Sequence, residues 1–362
     1  MRSTKSVSWV ESAREGGVLV TVVITSYFEE EHVERIRAVD EGLGVLYRAD
    51  LVPPPRWPGD HAGPPGWRRS KGGEEEFLAM LAEAEVLYDF PHGHVEDLAR
   101  VAPRLRWVQA SLAGAGEVAE KAGLLDTDVT VTTASGVYSG PLAEFVMMAL
   151  LQHVKDLDRL RCDKAEKRWR EAHTQTLHGK TLCIVGMGSI GRAVAVRAQP
   201  FGMRVVGVKR TVREEDEAWR YADELYATRD LHSALGGADY VAVTLPGTPE
   251  TYRLLDAEAI SAMKRGAYFV NVGRGKVVNE RALVDALKSG RLSGAALDVF
   301  EEEPLPEESP LWDLDNVVVS PHSTDNVPGL TNELQAELFC ENLRRYLNGE
   351  PLVNELDKKR LY

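Results

Sequence analysis

The sequence lacks long uninterrupted apolar runs. No stretch approaches the roughly 18 residues that a membrane-spanning helix needs. The N-terminal residues 1–17 (MRSTKSVSWVESAREGG) also lack the apolar core of a secretory signal. We therefore expect no membrane association, a disordered tail over residues 1–17 and a cytoplasmic location.

Cysteine is scarce, because Cys162, Cys183 and Cys340 are the three cysteines in 362 residues. An odd number at wide spacing excludes a disulfide framework and gives no metal-binding pattern. Cys183 lies in an apolar, strand-like run and is expected to be buried. A protein of this kind fits a reducing compartment.

Positive charge is also in deficit, with 43 Lys and Arg against 56 Asp and Glu and a formal net charge of −13. This balance argues against a general nucleic-acid binder, which needs a basic surface. An anionic ligand must instead be held by a local group of donors. The composition is otherwise that of a globular protein, and the length favours two domains.

Helix and strand patterns alternate through the first third of the chain, which is typical of a parallel sheet. Within this third, residues 52–73 are rich in Pro, Gly, Trp and Arg, a composition that predicts a long loop. The predicted strands are residues 18–25, 86–88 and 105–108, and the predicted helices are residues 31–39, 75–84 and 95–101.

The second part of the chain has a fuller β-α pattern. A single long helix is predicted over residues 142–160, and a terminal helix over residues 330–347 is expected to return to the first domain. Six strands with crossover helices make a complete dinucleotide-binding fold. They are predicted at residues 182–185, 204–208, 240–245, 268–272, 295–298 and 317–320.

The clearest motif is the glycine-rich turn Gly186-Met187-Gly188-Ser189-Ile190-Gly191, between a predicted strand and a predicted helix. In such a turn the first glycine allows a tight bend and the second lets the backbone approach a pyrophosphate. The third lets the helix pack closely on the strand. The amides at the start of the helix then face the phosphates. We expect Gly186, Gly188, Ser189, Ile190 and Gly191 to bind a dinucleotide.

The end of the next strand reads Lys209-Arg210-Thr211, where an NAD site usually has an acid. A carboxylate would repel a ribose 2′-phosphate, whereas the forked guanidinium of Arg210 and the hydroxyl of Thr211 could bind one. The sequence therefore predicts that NADP(H) is preferred, with NAD(H) possible.

Two further residues follow predicted strands at the carboxyl edge of the sheet, where ligands bind. Arg274 has the fork geometry that suits a carboxylate or a keto acid. His322 follows Ser320-Pro321, and histidine is the natural proton donor near neutral pH.

With these motifs in this order, the sequence resembles the D-2-hydroxyacid dehydrogenase family, from about Trp107 to Asn326. The resemblance implies an α/β protein with two doubly wound parallel-sheet domains, in which a Rossmann-type nucleotide domain (residues 135–323) is inserted into a flavodoxin-like substrate domain (residues 18–134 and 324–362). It also implies an active site in the cleft and a homodimer formed through the long apolar helix.

The resemblance assigns further residues. Glu303, immediately before Pro304, matches the family glutamate that orients the catalytic histidine, so Arg274, Glu303 and His322 are the expected catalytic residues. The loop 111–116 resembles the family loop whose amides, here those of Ala113 and Gly114, hold the substrate carboxylate together with Arg274. The expected cofactor-lining residues are Lys209, Arg210, Thr211, Leu245, Pro246, Thr251, Val272, Gly273, Asp298 and His322.

The predicted function is an NADP(H)-preferring oxidoreductase that transfers hydride between nicotinamide and a small 2-keto or 2-hydroxy acid of the glyoxylate or hydroxypyruvate type. The alternative is a dinucleotide-sensing corepressor-like protein with little turnover, because relatives of that class keep the same catalytic residues. No metal is expected. A phosphoglycerate dehydrogenase would need basic residues for the substrate phosphate, and the glutamate at Glu303 argues against a formate dehydrogenase. The expected catalytic residues are also compatible with a phosphite dehydrogenase.

Overall fold

The structure is a computed structural model that describes residues 20–362. The predicted tail over residues 1–17 and the first residues of the first predicted strand lie outside this range. The chain divides into two compact units. Unit 1 ends at Val137 and resumes over Asn326–Tyr362, and unit 2 is Tyr138–Asp325. The assignment of substrate binding to unit 1 and of dinucleotide binding to unit 2 stays a prediction.

The described part of unit 1 alternates strands and helices before a long C-terminal helix. Its strands are β1 (Val20–Ile24), β2 (Leu43–Leu46), β3 (Val86–Tyr88), β4 (Trp107–Gln109) and β5 (Thr130–Thr132). Its helices are α1 (Glu30–Arg37), α2 (Lys71–Glu83), α3 (Leu98–Val101), α4 (Gly116–Lys121) and, after unit 2, α11 (Leu330–Leu347).

All strand pairs of the unit 1 sheet are parallel, in the order β2-β1-β3-β4-β5. This is the flavodoxin-like order. The sheet is covered on both faces, by α2, α3 and α4 on one side and by α1 and α11 on the other. Alternate residues of a strand point to opposite faces, so that Trp107 packs with Phe339 of α11 while Val108 joins the opposite cluster.

Unit 2 begins with two consecutive helices and continues as a β-α repeat. Its strands are β6 (Thr181–Val185), β7 (Arg204–Lys209), β8 (Glu224–Ala227), β9 (Tyr240–Val243), β10 (Tyr268–Asn271), β11 (Gly294–Leu297) and β12 (Val317–Val319). Its helices are α5 (Ser139–Lys155), α6 (Leu157–Ala165), α7 (Ser189–Ala198), α8 (Leu231–Gly236), α9 (Ala257–Ala262) and α10 (Glu280–Lys288).

The unit 2 sheet has the order β12-β11-β10-β9-β6-β7-β8, again with parallel pairs throughout. The six strands from β11 to β8 have the strand order of the dinucleotide-binding fold, and β12 is an extra strand at one edge. Helices α8, α9 and α10 cover one face, and α5 and α7 cover the other. The chain reverses its direction of winding between β6 and β9, and the glycine-rich turn follows β6. The prediction of two doubly wound parallel sheets is confirmed.

Three details of the prediction were wrong. The predicted helix over residues 142–160 is two helices, because Asp156 adopts a left-handed conformation (φ 53°) between α5 and α6. Unit 2 has seven strands rather than six, since β8 was missed. In unit 1, β2, β5 and α4 were missed.

Other expectations about the chain agree with the structure. Cys183 is fully buried, which raises the pKa of its thiol to about 12, and all three cysteines are free. The terminal helix lies at residues 330–347 and belongs to unit 1. Between residues 20 and 362, no helix is long and apolar enough to cross a bilayer.

Candidate active site

The glycine-rich turn lies between β6 and α7, where the sheet order reverses. Gly191 must be glycine, because a Cβ there would lie 2.0 Å from the carbonyl oxygen of Gly186. At Gly188, which precedes the first turn of α7, a Cβ would meet nothing within 4 Å. The second glycine therefore leaves open space in front of the helix amides, while the third brings helix and strand together. This is the arrangement that a pyrophosphate requires.

The end of β7 carries the predicted phosphate-binding residues beside a cavity of about 370 Å³. Arg210 and Thr211 line this cavity together with Tyr226, Arg229 and four other residues. Lys209 instead forms an ion pair with Asp216. The structure thus places Arg210 and Thr211 at the cavity, whereas the role predicted for Lys209 stays a prediction.

His322 and Glu303 form a direct pair. Nδ1 of His322 lies 2.8 Å from Oε2 of Glu303, and the backbone N–H of Phe300 donates to the other carboxylate oxygen at 2.9 Å. Glu303 is thus held from both sides, and its carboxylate fixes the imidazole with Nδ1 as the donor. The His322 side chain is 40% exposed, and its contact with Glu303 uses Nδ1 rather than Nε2.

Asp298 directly follows β11 and is almost completely buried. Its Oδ1 accepts from the hydroxyl of Ser320 at 2.7 Å and from the amides of Ser323 and Thr324 at 3.2 and 3.4 Å. These bonds hold the loop that carries His322. Its other oxygen, Oδ2, is buried and has no hydrogen-bond partner among the described residues, so it can still accept a donor such as a carboxamide.

Arg274 lies in a turn directly after β10. The side chain of Asn271 holds this turn, because its Oδ1 accepts from Gly273 N at 3.0 Å and its Nδ2 donates to Arg274 O at 3.2 Å. A Cβ on Gly275 would lie 1.8 Å from the carbonyl oxygen of Phe300. The turn is therefore in close contact with the backbone that leads to Glu303.

Asp325 is a further acid that the sequence reasoning missed. Burial raises the pKa of its carboxyl above the ordinary value, and the charge of Asp298 raises it further, while His322 and Arg274 oppose the rise. Asp325 is therefore within electrostatic reach of three predicted site residues. The signal in the sequence was an acid three residues after His322.

The other residues predicted to line the cofactor lie at the carboxyl edge of the unit 2 sheet. Leu245 and Pro246 follow β9 and are half-buried, and Val272 is buried after β10. The hydroxyl of Thr251 donates to the carbonyl oxygen of Pro246 at 2.7 Å, so that this residue closes its own turn.

The predicted substrate-binding loop lies in unit 1, after β4. Ala113 and Gly114 are exposed. Ser111 is tied to Asp89, with its hydroxyl donating to Oδ2 at 2.7 Å and its amide lying 3.3 Å from Oδ1. Asp89 adopts a left-handed conformation (φ 69°) at the end of β3. The loop that leads to Ala113 is therefore anchored at a buried carboxylate.

Oxidoreductases that use a nicotinamide dinucleotide combine a glycine-rich turn with a titratable group at the carboxyl edge of one parallel sheet, and unit 2 has such a turn and the His322–Glu303 pair at that edge. The fold and the site thus define a dinucleotide-dependent oxidoreductase. Residues 146–324 match the family model for the NAD-binding domain of D-isomer specific 2-hydroxyacid dehydrogenases.

Relatives and solved structures agree with this match. A glyoxylate reductase of Pyrococcus horikoshii is 38% identical over 295 residues, covering 76% of this chain and 84% of the relative. A D-isomer specific 2-hydroxyacid dehydrogenase of Xanthobacter autotrophicus Py2, solved with NADPH and MES, is 31% identical with a TM-score of 0.74, covering 95% of this chain and 99% of that one. An NADPH-dependent glyoxylate/hydroxypyruvate reductase of Sinorhizobium meliloti, solved with NADP and sulfate, is 27% identical with a TM-score of 0.73, covering 95% and 100%.

The chain belongs to the D-isomer specific 2-hydroxyacid dehydrogenase family, and it is an NAD(P)-dependent oxidoreductase of 2-hydroxy acids.

Proposed function

We propose that the protein is an NADPH-preferring reductase of small 2-keto acids of the glyoxylate or hydroxypyruvate type. The observation that carries this proposal is the His322–Glu303 pair, at 2.8 Å, at the same sheet edge as Arg274 and the glycine-rich turn. Support also comes from the relatives, which include glyoxylate reductases, and from the structural neighbours that hold NADPH or NADP.

The cofactor assignment rests on the donors present in unit 2. The amides at the start of α7 would hold the pyrophosphate, Arg210 and Thr211 the 2′-phosphate, and Asp298 Oδ2 the nicotinamide carboxamide. The open space at Gly188 and the unpartnered buried oxygen of Asp298 fit such a ligand. When bound, the reduced nicotinamide supplies the hydride that C2 of the keto acid accepts.

Arg274 would bind the substrate carboxylate and polarise the carbonyl group, because a guanidinium can donate to both oxygens in one plane. In unit 1, the amides of Ala113 and Gly114 would add donors to the same carboxylate. Neither assignment depends on the substituent of the keto acid, which leaves the choice between glyoxylate and hydroxypyruvate to other residues.

His322 would deliver a proton from Nε2 to the carbonyl oxygen as the hydride arrives at C2. Glu303 keeps Nδ1–H directed toward itself and balances the positive charge of the imidazolium. In the oxidation direction the neutral imidazole would take the proton back from the hydroxyl group. Proton and hydride together convert the keto acid to the 2-hydroxy acid.

The proposed assembly is a homodimer. Three large apolar side chains near the start of unit 2 are exposed, namely Met148 of α5 (44%), Leu160 of α6 (46%) and Trp169 beyond them (98%). Exposed apolar groups of this size favour burial against a partner.

The test is the turnover of the His322→Ala variant. We expect kcat with glyoxylate and NADPH to fall by about 10²- to 10⁴-fold, which is the usual contribution of a general acid. The dissociation constant for NADPH should stay within about threefold, because the pyrophosphate and 2′-phosphate donors are intact. A loss of kcat smaller than about tenfold would contradict the proton-donor role. NADPH binding without turnover of any small keto acid by the unaltered protein would contradict the proposed function.

A further inference from the structure

The guanidinium of Arg210 is in contact with a carboxylate from a distant loop. Arg210 follows β7, whereas Glu250 lies between β9 and α9. Nη2 of Arg210 donates to Oε2 of Glu250 at 3.3 Å, and the hydroxyl of Thr248 donates to the same oxygen, also at 3.3 Å. Thr248 is itself buried. The carboxylate thus stands beside the cation to which we assign the 2′-phosphate.

The turn that carries Glu250 is internally braced. The amide of Thr248 donates to the hydroxyl of Thr251 at 2.9 Å, and that hydroxyl lies 2.7 Å from the carbonyl oxygen of Pro246. The backbone on either side of Glu250 is therefore fixed next to β9. The position of the carboxylate near Arg210 follows from the fold of this turn as well as from the ion pair.

A second acid–base pair lies at the same cavity. Arg229 and Asp230 both line it, and Arg229 Nε is 3.4 Å from Asp230 Oδ2. The cavity next to Arg210 therefore has two arginines, each accompanied by a carboxylate. The carboxylate of Glu250 is hydrogen-bonded to Arg210.

A ribose 2′-phosphate and the Glu250 carboxylate are both anions that need the same guanidinium. When the phosphate approaches Arg210, it must displace the carboxylate or accept its repulsion. A ribose 2′-hydroxyl carries no charge, so NADH meets no such competition. A carboxylate at this point therefore weakens NADPH binding relative to NADH binding.

We propose that Glu250 is a specificity-determining residue that competes with the 2′-phosphate for Arg210 and so limits the preference for NADPH. This inference rests on the proposed function, in which Arg210 binds the 2′-phosphate. Glu250 supplies, from the loop after β9, the acid that is missing at the end of β7.

The experiment compares the dissociation constants of NADPH and NADH for the unaltered protein and the Glu250→Gln variant, by fluorescence titration without substrate. Both side chains of the ion pair are partly exposed, at 42% and 60%, so the expected effect is modest. We expect the ratio of the NADH constant to the NADPH constant to rise about three- to tenfold. A ratio that stays within twofold would overturn the proposal.

Two controls separate a specific contact from a general change of charge. Glu308→Gln removes an exposed acid from another loop of unit 2, and Asp230→Asn removes the second carboxylate of the cavity. We expect each to change the ratio less than Glu250→Gln does. An equal rise in Glu308→Gln would contradict a local competition for Arg210.

A double-mutant cycle distinguishes failure of this inference from failure of the proposed function. Arg210→Ala alone should weaken NADPH binding and leave NADH binding within about threefold. If it weakens neither, the assignment of the 2′-phosphate to Arg210 is wrong. If it weakens NADPH alone, but Glu250→Gln raises the ratio equally with and without Arg210, the competition is refuted while the proposed function stands.

Discussion

The Gly188→Ala substitution tests the dinucleotide site most cleanly, because the structure separates its effect on folding from its effect on binding. Gly188 has φ −79° and ψ −159°, an extended conformation that alanine adopts easily. The added Cβ would meet nothing within 4 Å. Alanine is a poorer residue than glycine before a helix, at a cost of about 1 kcal/mol or less. We expect the melting temperature of the cofactor-free protein to fall by at most about 4 °C.

Binding should respond far more strongly than folding. The open space in front of Gly188 is where the pyrophosphate would approach the amides of α7, and a methyl group there would occupy it. Loss of two amide hydrogen bonds to a charged phosphate, each of about 1.5–3 kcal/mol, corresponds to an increase in the NADPH dissociation constant of at least about 100-fold. The assay is fluorescence titration of NADPH, with the melting temperature measured on the same sample.

Gly191→Ala is the matched comparison. Its Cβ would lie 2.0 Å from Gly186 O and 3.1 Å from Ile184 Cγ2, so that helix α7 must move away from β6. We expect a loss of about 1–3 kcal/mol of stability together with the loss of binding. If Gly188→Ala bound NADPH as tightly as the unaltered protein, the turn would not be the pyrophosphate site.

Three further predictions concern the proton donor, the pH dependence of stability and the assembly. The Glu303→Gln variant should lower kcat at least about tenfold and leave NADPH binding unchanged. The control Glu301→Gln, which breaks an ion pair with Arg253, should leave kcat within twofold. Equal losses of kcat in the two variants would contradict a catalytic role for the Glu303–His322 pair. Burial lowers the pKa of His153, so the stability that its neutral form contributes is present above pH 6.5 and is lost as the pH falls below that value. The His153→Gln variant should therefore show a smaller dependence of the unfolding free energy on pH between pH 7 and 5, by up to about 1.4 kcal/mol per pH unit. An unchanged dependence would refute this prediction. Light scattering should give twice 40.0 kDa at micromolar concentration, and the Met148→Glu variant should shift toward monomer; a monomeric unaltered protein would contradict the dimer.

Strands at the centre of each sheet could be predicted from sequence, as could the edge strand β12, whereas the edge strands β2, β5 and β8 could not. Residues 182–185 and 268–272 are apolar runs because helices cover both faces of the sheet there. Strand β8 (Glu224–Ala227) is a half-buried edge with a charged first residue, so its pattern carries little signal. Strand β5 (Thr130–Thr132) has one apolar residue between two threonines, so its sequence carries little apolar signal.

The break between α5 and α6 shows where a local pattern fails. The apolar spacing continues past Asp156, and an acid in a helix is unremarkable in sequence. Where the left-handed Asp156 ends α5, the residues just before it are bonded to a distant segment. The Lys155 side chain donates to the carbonyl oxygen of Gln175, and the Gln175 amide donates to the carbonyl oxygen of Val154. These contacts join residues about 20 positions apart, beyond the range of a helical pattern.

In the candidate site, too, residues within short motifs could be predicted, whereas contacts between distant segments could not. His322 could be predicted because it follows the last strand of the sheet, and Glu303 because the residues around Pro304 resemble the family motif. The contact between Arg210 and Glu250 joins residues that are 40 positions apart. It depends on the turn after β9, whose shape no local pattern gives. Asp325 was missed for a related reason, since its relation to Asp298 arises from the pairing of β11 with β12.

The measurement that tests the central claim most directly is the initial rate of NADPH and NADH oxidation, in parallel, with glyoxylate and with hydroxypyruvate. The account predicts turnover of at least one of these keto acids, a higher kcat/KM with NADPH than with NADH, and loss of turnover in His322→Ala. If the protein binds NADPH but reduces neither keto acid, the proposed substrate class is wrong. If turnover is equal in His322→Ala, the catalytic assignment is wrong.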